Sequence, residues 1–381
     1  MVSTKVKELT SEELTAWDRL VTASPQGTVF HTSNWLFRTA SSLNKMPVIL
    51  GCYEDEELIG GCPLLLPGSR GLLRTASSAA LLAPYGGIVI GSIESTKRRE
   101  QELHNNKVIA AICDYIAQRR FDHIELVNSP GLEDIRWFTQ NGWDVKVYYT
   151  YALPIDGDVF NRISKNARRS INKAAKQGVT VARHFDPEVY WNLTVNTFGK
   201  QNSRPPFSKK HLLSMLDMIR EKDLGEMWVA RTSSGEIAAA EVAIYDAKTV
   251  HRWSAASAEE HLNTGATSLL LSEIIAHSVE RNYPSINLMA GNMAHLSAFI
   301  ASFNPDLVPY YSVASSGIGY SALRRVSKHM CSMASRVARP TVRTRKTGLP
   351  KRPSTLAALC CPPASTDPHE HLEKRDRSPD R

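Results

Sequence analysis

An internal repeat is the sequence feature that most constrains the fold. Residues 119–149 align without gaps on residues 281–311, an offset of 162 positions, and six of the 31 aligned positions are identical. Each segment ends in the same tyrosine pair, Tyr148-Tyr149 in the first and Tyr310-Tyr311 in the second. A repeat with so long a period indicates two copies of one folding unit.

The secondary structure predicted from apolar periodicity repeats as well. Each half begins with a hairpin and a further strand, continues with a long amphipathic helix, and ends with a strand, a short helix and a last strand. This order predicts an α/β (α+β) protein with two tandem domains and mixed sheets. The predicted hairpins pair 48–53 with 58–66 and 227–231 with 237–245, and the long helices are about 97–119 and 267–281. The predicted domains are 1–150 and 151–320, the second with a helical insertion at 157–222, and a tail follows at 321–381.

The formal net charge of +8 comes from the tail. Ten basic residues and no acidic residue lie between Arg324 and Arg352, and removing these ten from the 46 basic residues leaves 36 against 38 acidic ones. Residues 321–338 are predicted to form a basic amphipathic helix, either docked on the body or lying on an anionic membrane. From Pro340 onward the composition predicts disorder. A peripheral membrane contact through 321–352 is therefore one of two alternatives for the tail.

Several classes of protein lack support in the sequence. No stretch approaches the roughly 18 apolar residues of a membrane span, and the N-terminal region has no signal peptide pattern, so we expect a cytoplasmic protein. The six cysteines form no CxxC pair and have no histidine at zinc spacing, which predicts reduced thiols and no metal site. The motifs of hydrolases, dinucleotide-binding oxidoreductases and P-loop NTPases do not occur.

Five motifs, taken together, resemble a known family. They lie at 28–35 (T-V-F-H-T-S-N-W), 83–87 (A-P-Y-G-G), 165–179, 251–275 and 291–303. Their order resembles the GNAT acyltransferase fold, and two such domains, the second opened by a basic helix, resemble the FemAB-like group of acyl- and aminoacyl-transferases. The resemblance covers about residues 28–313. It implies transfer of an acyl group from acyl-CoA to an amine, or, as the alternative, of an amino acid from aminoacyl-tRNA.

One departure from the family concerns the leaving group. In GNAT enzymes an Asn followed seven residues later by a Tyr contacts the cofactor arm and protonates the leaving thiolate. The resemblance places Asn292 and Phe299 there as donor-binding residues, and a phenyl ring cannot donate a proton. The family's following Lys is Ile300, and its final Gly is Asn304. General-acid help must therefore be absent or come from another residue.

Acyl transfer to an amine also needs hydrogen-bond donors for the oxyanion and a neutral attacking nitrogen. Strand backbone N–H groups can serve the oxyanion, so we place that site at Trp253, with Ser254 and Ala255 along the donor. Glu241, inside an apolar strand, is a candidate general base if burial raises its pKa; an edge or exposed position is the alternative. His251 is a second candidate base, although histidines in such positions are more often structural.

Phosphates of the donor need a positively polarised turn or cationic side chains. A loop leading into a helix N-terminus can bind phosphate, and an ordinary Thr cap beside a tight glycine bend is the alternative. The candidate loop residues are Asn263, Thr264 and Gly265. A basic helix face can bind a phosphorylated substrate, and a solvated face is the alternative. The candidate substrate-binding residues are Lys165, Arg168 and Arg169, with Trp35 and Tyr85 lining a cleft.

Three hypotheses follow for the function. The first is an N-acyltransferase that uses an acyl-CoA and acts on an amine, such as an amino sugar of a small-molecule or lipid-linked envelope glycan. The second is an aminoacyl-tRNA-dependent transferase that acts on a peptidoglycan precursor, which would make nucleic acid a partner. The third is a non-catalytic transferase scaffold whose tail binds membrane or nucleic acid.

Overall fold

The computed structural model describes residues 4–69, 71–199, 203–317, 319–321 and 357–359. The α-helices are α1 (Leu14–Ala23), α2 (Ser33–Ser42), α3 (Arg98–Gln118), α4 (Arg136–Gln140), α5 (Val159–Arg162), α6 (Lys165–Lys176), α7 (Pro187–Gly199), α8 (Lys209–Glu221), α9 (Ala266–Glu280) and α10 (Ala294–Ala301). The strands are β1 (Thr4–Glu8), β2 (Lys45–Glu54), β3 (Glu57–Pro67), β4 (Thr75–Ser77), β5 (Val89–Ile90), β6 (His123–Val127), β7 (Asp144–Pro154), β8 (Thr180–Arg183), β9 (Gly225–Arg231), β10 (Ile237–Tyr245), β11 (Thr249–Ser257), β12 (Ser285–Met289), β13 (Asp306–Ser316) and β14 (Ala357–Leu359).

The strands form a single mixed sheet that runs through both halves. From edge to edge its order is β1-β2-β3-β4-β6-β13-β7-β12-β11-β10-β9-β8, with β5 beside β3 and β14 beside β11. Two neighbouring pairs are parallel, β4 with β6 and β11 with β12, and the other ladders are antiparallel. Each half thus contributes one parallel pair at the equivalent place, as the internal repeat predicts.

The two halves exchange their last strands. β13, the last strand of the second half, pairs with β6 of the first, with Ser312 opposite Val127. β7, the last strand of the first half, pairs with β12 of the second, with Leu153 opposite Ile286. β7 and β13 also pair with each other at the centre of the sheet. The predicted boundary at 150/151 therefore falls inside β7, and the halves cannot separate without breaking these ladders.

Helices cover both faces of the sheet. In the second half α6, α9 and α10 pack on one face, around Leu270, Ile275 and Ile300, and α7 and α8 pack on the other. In the first half α3 covers the first face and α1 and α2 cover the second. The cluster on the α7–α8 face crosses between the halves, joining Trp35 and Tyr85 to Trp253. This shared core fixes the position of β11 relative to the first half.

Helix α6 has clear local causes. The hydroxyl of Ser164 accepts a hydrogen bond from the N–H of Ala167 at 3.2 Å and so caps the helix start. The helix consists mainly of Ala, Lys and Arg, which are good helix formers. It ends before Gly178, whose φ of 73° suits a glycine terminator. Only Ala167 and Ala174 are buried, so the basic side chains lie outside the core.

Several sequence predictions differ from the structure at element ends. The strand predicted at 72–77 is confined to Thr75–Ser77, and the helix predicted at 132–140 is confined to Arg136–Gln140. β1 and β8 were missed because each is a short edge strand with little apolar alternation. The helix predicted at 321–338 and the disorder predicted from 340 lie outside the described residues, apart from Ser321 and β14. Within the described ranges, no helix is long and apolar enough to cross a membrane.

Candidate active site

The candidate active site lies where β11 and β12 separate. The two strands pair over only three residues each, 249–251 with 285–287, whereas β11 continues to Ser257. β12 ends at Met289. The φ angles of Met289 and of Ala290, which follows it, are 58° and 57° and lie in the left-handed region that non-glycine residues rarely adopt. The rest of β11 therefore has no ladder with β12, and we call the gap between the strands the β11–β12 opening.

Gly291 and Asn292 hold the end of β12 against β7. A Cβ atom at Gly291 would lie 2.3 Å from the carbonyl oxygen of Tyr149, so this close approach requires glycine. The side chain of Asn292 accepts a hydrogen bond from the Tyr149 N–H at 2.9 Å and donates one to the Tyr149 carbonyl at 3.0 Å. These bonds give Asn292 a structural role, and its contact with a donor stays a prediction.

Strand β11 carries a β-bulge at Trp253. Val242 of β10 pairs with Ser254 and Ala243 pairs with Arg252, so Trp253 is the extra residue on its strand. A bulge takes backbone groups out of the regular ladder and is common beside active sites. The bulge lies just after the last residues that β11 pairs with β12. The oxyanion contact predicted from the sequence falls at this point, and that role stays a prediction.

The aromatic residues predicted to line a cleft are packed in the seam between the halves. Trp35 is 0% exposed, and its ring meets that of Trp253 edge-on at 5.8 Å. Tyr85 is also buried, with its ring edge-on to Tyr310 at 5.1 Å. The indole N–H of Trp253 donates to the Leu82 carbonyl at 2.9 Å. These contacts position β11, whereas direct contact of Trp35 or Tyr85 with a substrate stays a prediction.

Sequence reasoning missed a buried pair of hydroxyls beside the bulge. Tyr190 of α7 is fully buried, and its hydroxyl donates to the Oγ of Ser254 at 2.6 Å. Ser254 is itself 3% exposed. No sequence signal marks Tyr190, because it stands in the helical insertion, 64 residues before its partner. Only the packing of α7 against β11 brings the two together.

Glu241, the predicted general base, is part of a buried ion pair. Its Oε2 accepts from Nε of Arg252 at 2.7 Å, and its Oε1 accepts from Nη2 of the same guanidinium. Both side chains are 1% exposed. Because both carboxylate oxygens are bound to Arg252 and sealed from solvent, an incoming amine could reach them only by breaking the pair. The geometry therefore favours a structural role for Glu241 over the expected role as a base.

His251 is also held by a carboxylate, at the paired end of β11. Its Nε2 lies 2.8 Å from Oδ2 of Asp246, and its ring lies against Phe30 at 5.1 Å. Burial alone would raise the pKa of Asp246, but the His251 imidazole and the N–H groups of Lys248 and Thr249 hold that pKa below its usual value. A catalytic role for His251 stays a prediction. In the described part of the chain no group of three or more His, Cys, Asp or Glu residues could hold a metal ion.

The loop before α9 packs closely against α6. Gly265 has a φ of 83°, and a Cβ atom there would lie 2.2 Å from the carbonyl oxygen of Ser170. Lys173 of α6 donates to the carbonyl of Asn263 at 2.5 Å. The Thr264 hydroxyl accepts from the N–H of Ala266 at 3.2 Å, which is the capping contact that the sequence left as an alternative to anion binding. The start of α9 therefore lies beside the basic helix and is packed against it.

The basic residues of α6 are available to a ligand. Lys165, Arg168, Arg169 and Lys173 are all exposed. None of the four forms an ion pair within the ranges that the structure describes, although Arg168 donates to the Asn161 carbonyl at 3.2 Å. Uncompensated positive charge beside a helix N-terminus attracts phosphate. The structure thus brings α6, which carries predicted substrate-binding residues, close to the predicted donor-binding loop before α9. The contact between Lys173 and Asn263, 90 positions apart in the chain, joins the two elements.

Comparisons with known proteins agree with this geometry. A family model described as Acetyltransferase (GNAT) domain matches residues 161–296. The structure of FemX is similar, with a TM-score of 0.61, 12% identity, and coverage of 81% of this chain and 96% of that one. A conserved protein of unknown function from Bacteroides thetaiotaomicron has a TM-score of 0.57 at 12% identity, covering 83% of this chain and 100% of that one. The C-terminal domain of a putative lysylphosphatidylglycerol synthetase from Agrobacterium fabrum has a TM-score of 0.50 at 15% identity, covering 81% and 93%. No curated protein sequence matches the chain.

The chain has the FemAB-like fold of the GNAT superfamily, with two GNAT-like halves in one sheet. The matched segment contains α6, β11, α9 and β12, which are the elements that form the opening and the basic surface beside it. Residues 161–296 therefore contain an acyltransferase domain of GNAT type, as the sequence resemblance predicted.

Proposed function

We propose that the protein is an N-acyltransferase that takes an acyl group from acyl-CoA and transfers it to an amine at the β11–β12 opening. The observation that carries the proposal is the bulged edge of β11, unpaired with β12, next to the exposed basic face of α6 and the start of α9. We further propose an amino sugar of a cell-envelope polysaccharide precursor as the acceptor, either free or lipid-linked.

The residues at the opening suit the donor in two respects. Residues 254–256 of β11 pair antiparallel with β14 of the tail, so this edge accepts an extended chain as a hydrogen-bonding partner. The amide-containing arm of CoA offers the same kind of backbone-like donors and acceptors. The exposed arginines of α6 suit the phosphates, which guanidinium groups bind in a bidentate manner. Since β14 and the arm of the donor would use one edge, the two exclude each other.

Acyl-CoA supplies a thioester carbonyl when it is bound. The protein's own residues orient this carbonyl and stabilise the negative charge that develops on its oxygen. We assign the hydrogen bond to the oxyanion to the backbone N–H groups at the Trp253 bulge. Trp253 itself is anchored through Leu82 and Trp35, so the bulge cannot shift without disturbing the seam. Holding both reactants in one geometry contributes roughly 7–11 kcal/mol in well-oriented cases. The fold therefore supports transfer even though Glu241 is tied to Arg252.

Thermal shift and calorimetry with acetyl-CoA test the proposal. We expect acetyl-CoA to stabilise the protein, and Arg169→Ala to weaken its binding about tenfold, the loss of roughly one charge-assisted contact. Acetyl-pantetheine, which lacks the nucleotide phosphates, should bind both proteins equally. Lys176→Ala is the matched control, because Lys176 is an exposed cation at the other end of the same helix. If acetyl-CoA fails to stabilise the wild-type protein, the proposed donor is wrong.

The basic helix also favours a second candidate, transfer of an amino acid from aminoacyl-tRNA. One structural neighbour is described as a putative lysylphosphatidylglycerol synthetase domain, a name that implies a transferred amino acid. This candidate would be favoured if aminoacyl-tRNA stabilised the protein and acetyl-CoA did not. The binding of the tRNA should then depend steeply on salt concentration.

A further inference from the structure

We propose that Ser254 is the catalytic residue that protonates the leaving thiolate and that Tyr190 is the positioning residue that holds it for this task. The inference rests on the proposed acyl-CoA donor and deepens it. It answers the question raised by Phe299, since a sequence with no hydroxyl at the family's position needs another proton source.

The geometry at Phe299 shows why the proton must come from elsewhere. The Phe299 ring packs in the α9–α10 core, with the guanidinium of Arg252 5.7 Å from its centre. That guanidinium is bound to Glu241 and is buried with it. On this face of β11, therefore, Phe299 packs beside a closed ion pair and has no proton to give.

The opposite face of β11 carries the hydroxyl pair. Ser254 directly follows the bulged residue Trp253, so it lies where β11 has just lost its ladder with β12. Tyr190 donates its proton to the Oγ of Ser254 at 2.6 Å, which leaves the hydrogen of Ser254 to donate elsewhere. Within the described residues that hydrogen has no acceptor. A buried hydroxyl without an acceptor costs free energy unless a ligand supplies one.

The proposed step balances without a further reactant. The amine nitrogen forms a bond to the acyl carbon and loses one proton, and the bond between that carbon and sulfur breaks with its electron pair staying on sulfur. Ser254 gives its hydroxyl proton to this sulfur and takes the proton of Tyr190 in return. The nitrogen releases its proton to solvent, and after the products leave a solvent proton returns to Tyr190 through Ser254. Tyr190 also fixes the Ser254 rotamer, because Oγ must face α7 to accept its hydrogen bond.

Binding of the product CoA at different pH values tests the inference without an acceptor. A thiol has an ordinary pKa of about 8.5, and a hydroxyl aimed at the sulfur stabilises the thiolate. We expect CoA to bind wild-type protein about tenfold more tightly at pH 9 than at pH 7, whereas desulfo-CoA, which lacks the sulfur, shows no such gain. Ser254→Ala should abolish the pH-dependent gain, Ser254→Thr should retain it, and Tyr190→Phe should reduce it.

Thr197→Val is the matched control. Thr197 stands on the same helix, and its buried hydroxyl donates to the carbonyls of Leu193 and Ser257, so its loss perturbs α7 without touching Ser254. If Ser254→Ala keeps the full difference between CoA and desulfo-CoA, the inference is overturned and the donor site stands. The inference is overturned in the same way if Thr197→Val removes the difference as completely as Ser254→Ala. If neither ligand binds the wild-type protein, the proposed donor fails and the inference fails with it.

Discussion

The ion pair between Glu241 and Arg252 offers a sharp test of how the second half is stabilised. The pair is bidentate, and both side chains are 1% exposed. Removing one partner leaves the other charge buried and unpaired, which costs about 3–5 kcal/mol, whereas replacing both with apolar side chains of similar size is often neutral. We therefore expect Glu241→Leu and Arg252→Met to lower the free energy of unfolding by about 3–5 kcal/mol each. The double variant should lie within about 1 kcal/mol of wild type or above it.

Urea unfolding followed by tryptophan fluorescence measures all three variants. The matched control is the ion pair of Arg38 and Glu221, which has the same chemistry at 2.8 Å but is 33% and 53% exposed. Breaking an exposed pair should cost under about 1 kcal/mol. If the double variant at 241 and 252 loses as much as the sum of its single variants, the two residues are not energetically coupled and the reasoning is refuted. A catalytic need for Glu241 as a base would appear separately, as lost turnover in a double variant of full stability.

Three further predictions concern pH, glycine and the tail. Burial lowers the pKa of His31 to about 3, so the unfolded chain, with an ordinary pKa near 6.5, binds the proton first as pH falls. The contribution of neutral His31 to the free energy of unfolding is complete above about pH 6.5 and is lost as the pH falls towards 3. Between pH 6.5 and 5 the free energy of unfolding should fall by roughly 2 kcal/mol. In urea unfolding, His31→Asn should remove this part of the pH dependence. Gly265→Ala should lower the melting temperature more than Gly235→Ala. Both glycines have a positive φ, but only at Gly265 would the added Cβ also approach a backbone oxygen, that of Ser170 at 2.2 Å. Equal decreases in melting temperature would contradict the close packing at Gly265. A chain ending at residue 356 should bind acetyl-CoA more tightly than one ending at 359, because only the longer chain keeps β14 on the edge of β11; equal affinities would mean that β14 does not compete with the donor.

The sequence predicted much of the fold because its signals are local or periodic. The alternation of apolar residues marked the hairpins β2–β3 and β9–β10, and the 3.6-residue period marked α3 and α9 within one residue at each end. The basic helix was predicted within the motif at 165–179, where α6 lies, because a run of helix-forming Ala, Lys and Arg residues is a local signal. For the same reason, a glycine in the left-handed region was foreseeable at the turn before α9.

The candidate site was less predictable because its contacts join distant parts of the chain. Local pattern put Glu241 on a strand but could not show that Arg252, on the next strand, occupies both of its oxygens. Trp35 and Tyr85 were predicted to line a cleft, but whether an aromatic ring faces a cleft or a packed seam depends on what the other half places against it. Tyr190 carried no signal at all, since a tyrosine on an amphipathic helix is ordinarily a core residue.

The sequence by itself determined that the protein is built from two related halves, that the second half carries a basic helix before a strand–loop–helix of acyltransferase type, and that the usual tyrosine is a phenylalanine. These follow from the order of residues, which a repeat or a motif records directly. The tertiary structure alone decided that the halves exchange β7 and β13, that Glu241 is paired, and that Tyr190 meets Ser254 beside the bulge. The physical reason is that strand pairing and side-chain packing are set by three-dimensional neighbours, and a strand edge or a hydroxyl fits many partners until the whole sheet has formed.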